Sequence, residues 1–254
     1  MARIENVFIT GASSGIGRAL AIEAARRGAD LVLASRNTES LTEISSFINK
    51  HYNKAYWIKC DVCNTDEFRT ASDFAREKLG HIGLAILNAG ISKPVWFDNL
   101  NSNDLRETFE TNLFGIVNGL EFLVPIMKKQ GGGAIAGVGS LAESRSFPGV
   151  GAYTGSKAAV AHILEAARLE LRHYGIDIIT VKPGFVRTNM TAKNKFFMPF
   201  LMDTQPAAKI ILDGIEKGKS IVAFPGFMSF ISNLGKIVPY QFFDKFAQKW
   251  RKSN

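Results

Sequence analysis

The sequence has few cysteines and no long apolar run, and each shortage excludes a class of protein. Cys60 and Cys63 are its only cysteines, so a disulfide framework is excluded and a reducing, cytoplasmic location is expected. Their spacing would suit a redox or zinc site, but zinc needs a second ligand pair and none is nearby, so we predict no metal. No stretch approaches the ~18 consecutive apolar residues of a membrane span. Arg3 and Glu5 interrupt the start of the chain, and we therefore expect no signal peptide.

The chain is apolar enough to fold and carries an uneven positive charge. Hydrophobic residues make up 46% of it and charged residues 21%, which supports a buried core and argues against disorder. The net charge is +8 at pH 7, and residues 190–254 hold ten Lys or Arg against four Asp or Glu. Such a basic segment fits a membrane surface, an anionic ligand or simple solubility. We do not expect nucleic acid as a partner, because no recognisable nucleic-acid-binding fold accompanies the charge.

Apolar runs and amphipathic segments alternate along most of the chain, which is typical of a parallel sheet covered by helices on both faces. We predict strands at 7–9, 31–34, 55–58, 84–87, 134–138, 176–181 and 221–224. We predict helices at 18–26, 38–51, 65–80, 103–129, 153–174 and from 205, with Thr65 as a helix cap and a joint near Asn112 and Gly115. The predicted fold is α/β, a single doubly wound Rossmann-type domain of about seven parallel strands over residues 1–254. Residues 1–224 form its core and residues 225–254 an apolar, basic extension.

A glycine-rich turn, Thr10–Gly17, lies between the first predicted strand and the first predicted helix. Glycines in such a turn allow tight turning, close approach of the backbone to a pyrophosphate and close packing of the helix on the strand. The following helix presents free backbone N–H groups at its N-terminus, where phosphate binds well. Taken alone, the turn is compatible with a dinucleotide site or with a plain turn.

Ser140, Tyr153 and Lys157 form a second pattern. Ser140 follows the fifth predicted strand, at the edge of a parallel sheet where ligands bind. Tyr153 and Lys157 are four residues apart in a predicted helix, which puts the phenol and the ammonium on one face. A nearby cation lowers the pKa of a phenol from ~10 toward neutral pH. We therefore predict that Tyr153 acts as a general acid or base.

In this order the patterns resemble the short-chain dehydrogenase/reductase family over residues 7–224. Thr10–Gly17 matches its T-G-x-x-x-G-x-G turn, and residues 183–188 match its P-G-x-V-x-T. Leu87-Asn88-Ala89-Gly90 matches N-N-A-G except that leucine replaces the first asparagine. The resemblance implies a catalytic set of Asn112, Ser140, Tyr153 and Lys157. It also implies cofactor-binding residues at the strand ends, which are Gly11, Ser13, Ser14, Gly15, Ile16, Gly17, Ser35, Arg36, Asp61, Val62, Asn88, Ala89, Gly90, Tyr153, Lys157, Pro183, Gly184, Val186 and Thr188.

The mechanism implied by the resemblance is hydride transfer between a nicotinamide and a substrate carbonyl. Tyr153 donates a proton to the carbonyl oxygen or accepts one in reverse, and Ser140 orients and polarises the carbonyl. Lys157 lowers the pKa of Tyr153 and hydrogen-bonds the nicotinamide ribose. Asn112 links Lys157 to solvent through its backbone and a water. The resemblance further implies homodimers or homotetramers formed through helices 103–129 and 153–174.

Residues 34–37, at the end of the second predicted strand, include no acid, although NAD-binding folds hold the ribose there with Asp or Glu. Arg36 would instead pair with a 2′-phosphate, and Ser35 would donate a further hydrogen bond. We therefore predict NADPH/NADP rather than NAD as the coenzyme, which favours reduction of a carbonyl. The alternative is that Arg36 is only a solvated charge.

Two apolar segments remain. Residues 190–202 are rich in Phe and Met and are expected either to form a lid over a lipophilic carbonyl or alcohol substrate or to pack on the core. Residues 225–252 mix apolar side chains with Lys and Arg, which fits peripheral contact with an anionic membrane, a cover over the substrate pocket or a neighbouring subunit. The predicted function is an NADPH-dependent carbonyl reductase. The rival is a non-catalytic NADPH-binding sensor or scaffold, or a membrane-associated interaction protein on the same fold.

Overall fold

Seven parallel strands form one sheet in the computed structural model, which describes residues 4–194 and 196–252. Lys195 of the predicted lid and the two ends of the predicted domain, 1–3 and 253–254, lie outside the described residues. The strands are β1 (Asn6–Thr10), β2 (Asp30–Ser35), β3 (Ala55–Lys59), β4 (Leu84–Leu87), β5 (Gly133–Val138), β6 (Ile176–Pro183) and β7 (Ile221–Phe224). Their order is β3-β2-β1-β4-β5-β6-β7, which confirms the predicted α/β fold and puts the reversal of strand order between β1 and β4. Ligands of such sheets bind at the carboxyl ends of the strands beside this reversal.

Helices cover both faces of the sheet. In the described residues they are α1 (Gly15–Arg26), α2 (Thr38–His51), α3 (Thr65–Leu79), α4 (Ser102–Phe109), α5 (Gly115–Lys129), α6 (Gly151–Leu171), α7 (Thr204–Glu216), α8 (Gly226–Ile237) and α9 (Tyr240–Lys252). Helices α1, α2 and α7 pack on one face, and α3, α5 and α6 on the other. Val7, Phe8 and Ile9 of β1 are fully buried between these layers. Burial on both faces explains why the strands are apolar runs rather than alternating patterns.

The helical region between β4 and β5 is jointed, as predicted. One π-helical turn, Glu110–Phe114, separates α4 from α5, and Asn112 inside it is fully buried. Single π-helical turns inside α-helices are frequent at functional sites. The joint therefore makes Asn112 a candidate functional residue.

The start of α3 differs from the prediction. Asn64, and not Thr65, is the N-cap, since its Oδ1 accepts hydrogen bonds from the backbone N–H groups of Asp66 (3.0 Å) and Glu67 (3.1 Å). Thr65 is the first helical residue. Asparagine is at least as good a cap as threonine, so residue type alone does not separate two adjacent candidates.

The chain ends in two helices that lie against the turn after β5. Ser232 Oγ in α8 donates to the carbonyl oxygen of Leu141 at 2.8 Å. The Arg145 side chain donates to the carbonyl oxygens of Gly235 at 2.7 Å and of Val238. Within the described part of the chain, every helix is too short or too polar to span a bilayer.

Candidate active site

Glycines close the turn between β1 and α1 tightly. Gly11 has a φ of +64°, and a Cβ on it would lie 2.8 Å from the Cα of Ala89. A Cβ on Gly17 would lie 2.2 Å from the carbonyl oxygen of Gly11. The first backbone N–H groups of α1, in residues 15–17, have no acceptor within the helix and point out of its N-terminus. The turn is thus a cradle that fits a phosphate group.

Asn88 holds this turn against the end of β4. Its Nδ2 donates to the carbonyl oxygens of Thr10 at 3.1 Å and Gly11 at 3.2 Å. The backbone N–H groups of Asn88 and Ala89 donate to Thr10 Oγ1 at 3.0 and 3.3 Å. The amide of this predicted cofactor-binding residue is therefore engaged in shaping the cradle.

Leu87 replaces the first asparagine of the motif, and its side chain faces the opposite way from that of Asn88. It is buried, and a Cβ on Gly119 of α5 would lie 2.5 Å from its Cδ1. The leucine side chain thus fills the hollow above Gly119. At this position an apolar contact between β4 and α5 stands where the motif has a polar side chain.

The end of β2 carries Ser35 and Arg36, close to the glycine turn. Ser35 Oγ lies 2.8 Å from Ser13 Oγ. The Arg36 guanidinium is 63% exposed and lies 3.7 Å from Asp61 Oδ2, while Val62 beside Asp61 is buried. An exposed arginine with one distant carboxylate partner retains most of its hydrogen-bonding capacity for an anion.

Ser140, Tyr153 and Lys157 come together at the carboxyl end of β5. Ser140 caps the turn that follows β5, where its Oγ accepts a hydrogen bond from the Ala142 N–H at 3.1 Å. The Tyr153 hydroxyl lies near the Ser140 side chain, which favours the ionised form of the phenol. Lys157, one helical turn later, donates from Nζ to the Val138 carbonyl oxygen at 2.7 Å and lies 5.9 Å from the centroid of the Tyr153 ring. The three side chains predicted from sequence spacing are thus neighbours.

Burial changes the acidity of both titrating groups in this cluster. It raises the pKa of the Tyr153 phenol, and the neighbouring Ser140 side chain only partly opposes this. It lowers the pKa of Lys157, which is 4% exposed, to about 8. The pKa of Tyr153 is therefore raised and not lowered as expected, because desolvation dominates and the Lys157 ammonium is bonded to the Val138 carbonyl instead of the phenol. The phenol stays protonated at neutral pH, which is the state of a proton donor.

Asn112 anchors the loop after β4 through its side chain. Its Oδ1 accepts from the Ile91 N–H at 2.8 Å, and its Nδ2 donates to the Ile91 carbonyl at 2.9 Å and to Ser156 Oγ at 3.0 Å. A Cβ on Gly90 would lie 3.1 Å from Asn112 Oδ1 and 3.5 Å from Lys157 Nζ. Glycine at position 90 thus allows the loop to pass between the two side chains. Sequence reasoning gave Asn112 only a backbone role and did not find Ser156.

Residues 183–188, at the end of β6, reach the glycine turn from the other side. Val186 is buried and forms a β-bridge with Met202 in the predicted lid. A Cβ on Gly15 would lie 3.1 Å from Thr188 Cγ2. The segment therefore closes the edge of the cradle.

Sequence reasoning missed a buried ion pair beside Ser140. Lys182 Nζ lies 2.6 Å from Glu143 Oε1, and both side chains are largely buried. The only signal was a charged residue directly after the apolar run 176–181. Pairing across 39 residues of sequence leaves no local pattern.

Aromatic side chains flank the site. The Phe97 ring is 70% exposed, and a Cβ on Gly151, the first residue of α6, would lie 3.2 Å from it. In the lid, the ring of Phe196 lies 5.9 Å from that of Phe185, which directly follows the Pro183-Gly184 pair. Apolar rings thus lie at the start of α6, the helix that carries Tyr153, and directly after β6.

Comparisons with known proteins find relatives of this chain. A family model described as short chain dehydrogenase matches residues 5–196. An uncharacterised oxidoreductase of Myxococcus xanthus is 32% identical over 244 residues, which are 96% of this chain and 96% of that protein. The 7α-hydroxysteroid dehydrogenase of Escherichia coli is 31% identical over 182 residues, 72% of this chain and 71% of that one.

A solved structure has the same fold. It is a short chain dehydrogenase/reductase from Burkholderia phymatum in complex with NAD, which matches with a TM-score of 0.83 at 24% identity and covers 91% of this chain and 92% of that one. The family model matches most of the chain, and together with these similarities it shows that the protein is an oxidoreductase. The chain belongs to the short-chain dehydrogenase/reductase family.

Proposed function

We propose that the protein is an NADPH-dependent reductase that converts a carbonyl group of a small or lipophilic substrate into a secondary alcohol, or runs in reverse. The observation that carries the proposal is the grouping of Ser140, Tyr153 and Lys157 at the carboxyl end of β5, the same sheet edge as the glycine turn. We further infer that residues 1–254 form a single dinucleotide-binding domain with a core of 1–224 and an extension of 225–254.

The residues at this edge fit a nicotinamide dinucleotide. The crowding around Gly11 and Gly17 and the free N–H groups of residues 15–17 suit a pyrophosphate. Ser35 and Arg36 are assigned to the 2′-phosphate, Asp61 and Val62 to the adenine, and residues 88–90 and 183–188 to the remaining contacts. When bound, the coenzyme supplies a hydride to the carbonyl carbon.

The chain itself supplies orientation and a proton. Tyr153 holds the proton that reduction requires, because burial keeps its phenol protonated, and the Ser140 hydroxyl orients the substrate oxygen beside it. Lys157, with a pKa of about 8, remains largely charged at neutral pH and favours the phenolate once the proton has left. It is also assigned to the nicotinamide ribose. Such positioned acid–base groups contribute roughly 10²–10⁴-fold in rate.

Asn112 acts through the groups that it holds. Its side chain fixes the loop at residues 90–91 beside Lys157. Its backbone is assigned to a water link that returns protons to Lys157. It is therefore placed with Ser140, Tyr153 and Lys157 in the catalytic set, in a positioning role.

The preference for NADPH over NADH rests on the residues after β2. An aspartate or glutamate that would repel a 2′-phosphate is lacking in residues 34–37, and Arg36 is exposed beside the turn. A guanidinium binds phosphate through paired, charge-assisted hydrogen bonds. The related structure from Burkholderia phymatum holds NAD. The preference for NADPH is therefore inferred from the side chains of the present chain alone.

A lipophilic ketone fits the surroundings of Tyr153. Phe97 lies at the start of the helix that carries Tyr153, Phe185 and Phe196 pack on each other after β6, and methionines of the lid adapt to irregular apolar shapes. The relative from Escherichia coli is a hydroxysteroid dehydrogenase, which supports a bulky alicyclic substrate.

Three further features are inferred for the whole protein. The free cysteines favour the cytoplasm. Exposed Phe114, Ile163 and Leu169 support homodimers or homotetramers formed through helices 103–129 and 153–174. Contact of residues 225–252 with a membrane surface is independent of the reaction and rests on α8.

The second candidate is a non-catalytic NADPH sensor or scaffold. It would need the glycine cradle but neither Ser140 beside Tyr153 nor the buried Lys157, which costs stability. These features favour the enzyme.

The test measures NADPH and NADH oxidation with a panel of steroid, alicyclic and open-chain ketones. Tyr153→Phe should lose about 10²-fold or more in kcat while NADPH binding, measured by fluorescence, is nearly unchanged. Tyr174→Phe, at an exposed tyrosine, is the matched control and should keep full activity. Full turnover by Tyr153→Phe would refute the proposal, and NADPH binding without turnover of any ketone would favour the sensor.

A further inference from the structure

We propose that the outward face of α8, together with the lid, docks on an anionic lipid bilayer. Apolar residues of α8 recur at i, i+3, i+4, i+7 and i+10, which places them on one helix face; they are Phe227, Phe230, Ile231, Leu234 and Ile237, hereafter the α8 stripe. Their exposed fractions are 60, 66, 49, 47 and 75%. In a helix that packs on a protein core, such a face is turned inward. Here it is turned to the outside.

The polar face of α8 is the one that contacts the protein. Ser232 Oγ donates to the Leu141 carbonyl at 2.8 Å and lies 2.8 Å from Ser144 Oγ. Arg145 Nε donates to the Gly235 carbonyl at 2.7 Å. These hydrogen bonds fix the rotation of the helix about its axis. The α8 stripe therefore stays outside unless they break.

The α8 stripe continues onto the lid. The Phe200 ring is 55% exposed and lies 5.6 Å from the Phe227 ring, and Phe197 is 83% exposed. Phe200 has a φ of +56°, a conformation that bulky residues rarely adopt. Contiguous exposed apolar patches of this kind mark surfaces that bind another partner.

Charge selects an anionic bilayer over a second copy of the chain. Residues 225–252 contain one acidic residue, Asp244, and five basic ones, which are Lys236, Lys245, Lys249, Arg251 and Lys252. A symmetric dimer through α8 would bring two such segments together, so that like charges repel, and lysine is depleted from protein interfaces. An apolar helix face accompanied by basic residues in the same stretch of sequence is typical of helices that lie in the headgroup region of anionic membranes.

Docking through this surface turns the lid toward the bilayer. The lid carries Met202, which bridges to Val186 at the edge of the candidate site. A lipophilic molecule dissolved in the membrane would then reach the site without crossing water. The docking itself rests on the α8 stripe and the charge, and it stands whether or not the proposed reaction does.

The test is flotation of the full chain, without coenzyme, with phosphatidylcholine vesicles that contain or lack phosphatidylglycerol. The wild type should float with the phosphatidylglycerol vesicles, and less so at high salt. The variant F230S/I231S/L234S should lower the bound fraction by about tenfold or more, because it removes the centre of the inserted face. The control F47S/Y52S removes exposed rings at the end of α2 and should float like the wild type.

A second measurement does not depend on loss of binding. In F230W, brominated phospholipids should quench tryptophan fluorescence beyond the quenching of the wild type, whereas F47W should show no excess. A wild type that ignores both kinds of vesicle, a triple variant that floats unchanged, or an F230W without excess quenching would each overturn the proposal. If the wild type does not float and the triple variant sediments as a smaller species, the occupant is a second copy, which also overturns it.

Discussion

Lys182 and Glu143 form an ion pair, with 2.6 Å between Nζ and Oε1, that joins the end of β6 to the turn that begins at Ser140. Glu143 lies in the turn that Ser140 caps, and Lys182 is the next-to-last residue of β6. The side chains are 7% and 17% exposed, so the pair is largely shielded from water. The position of Ser140 relative to residues 183–188 therefore depends on a contact between distant parts of the sequence.

Glu143→Gln should lower the free energy of unfolding by about 1–3 kcal/mol, because it leaves the Lys182 ammonium without its carboxylate. Adding Lys182→Met should restore most of the loss, since no buried charge then remains. Urea denaturation of the coenzyme-free protein measures both. Glu43→Gln breaks the exposed pair with Arg18 and should cost less than about 1 kcal/mol. A Glu143→Gln protein as stable as the wild type would show that the pair contributes nothing.

Lys157→Met should stabilise the coenzyme-free protein at neutral pH. The pKa of Lys157 is about 8 in the folded protein and near ~10.4 when unfolded, so the unfolded state binds more protons between these values and stability rises with pH there. The buried ammonium is thus destabilising below about pH 8, and its removal should raise the free energy of unfolding by about 2 kcal/mol after loss of the hydrogen bond to Val138.

The gain from Lys157→Met should shrink as the pH rises from about 8 toward about 10. Urea denaturation at several pH values measures it against the wild type. Lys129→Met, at an exposed lysine of α5, should show neither the gain nor its pH dependence. A gain that is constant up to about pH 10 would contradict the lowered pKa.

Arg36→Glu should reverse the coenzyme preference. The variant loses the cation assigned to the 2′-phosphate and gains an anion that repels it, so the ratio of kcat/KM for NADPH to that for NADH should fall by about 10²-fold or more. Steady-state rates with both coenzymes and one ketone measure the ratio. Lys54→Glu, an exposed charge reversal before β3, should leave it unchanged. An unaltered ratio in Arg36→Glu would mean that Arg36 does not contact the coenzyme.

Gly11→Ala should cost more stability than Gly218→Ala, although both glycines have a similar φ, +64° and +66°. A Cβ on Gly218 would have nothing within 4 Å, whereas one on Gly11 would lie 2.8 Å from the Ala89 Cα. Both changes should cost about 1 kcal/mol for the backbone conformation, and Gly11→Ala should cost about 1–3 kcal/mol more for the clash. Thermal unfolding compares the two variants directly. Equal losses would mean that the turn can relax away from Ala89.

The sequence was most informative where the signal is local. The buried strand β4 and the edge strand β7 are both uninterrupted apolar runs, and their observed bounds match the predicted ones. Tyr153 and Lys157 are neighbours because four residues make one helical turn. The glycine turn was recognised from its spacing, since each glycine removes a clash that a side chain would make.

Features that depend on distant contacts could not be predicted. The orientation of α8 follows from its bonds to Leu141 and Arg145, more than 80 residues earlier, and its amphipathic pattern alone would have turned the apolar face inward. The pKa of Tyr153 depends on how deeply the fold buries it, which spacing does not report. The sequence placed Asn88 at the site, but it does not show that the amide points back to the carbonyl oxygen of Thr10.

The π-helical turn at 110–114 limits insertions and deletions in this part of the chain. Successive residues of an α-helix are rotated by about 100° around its axis. The wider π-helical turn therefore changes the rotation of α5 relative to α4. It lets Asn112 point inward while Leu123 and Met127 of α5 still face the sheet. Loss or gain of one residue here would turn one helix relative to the other by that angle. This part of the chain therefore tolerates exposed substitutions far better than a change in its count of residues.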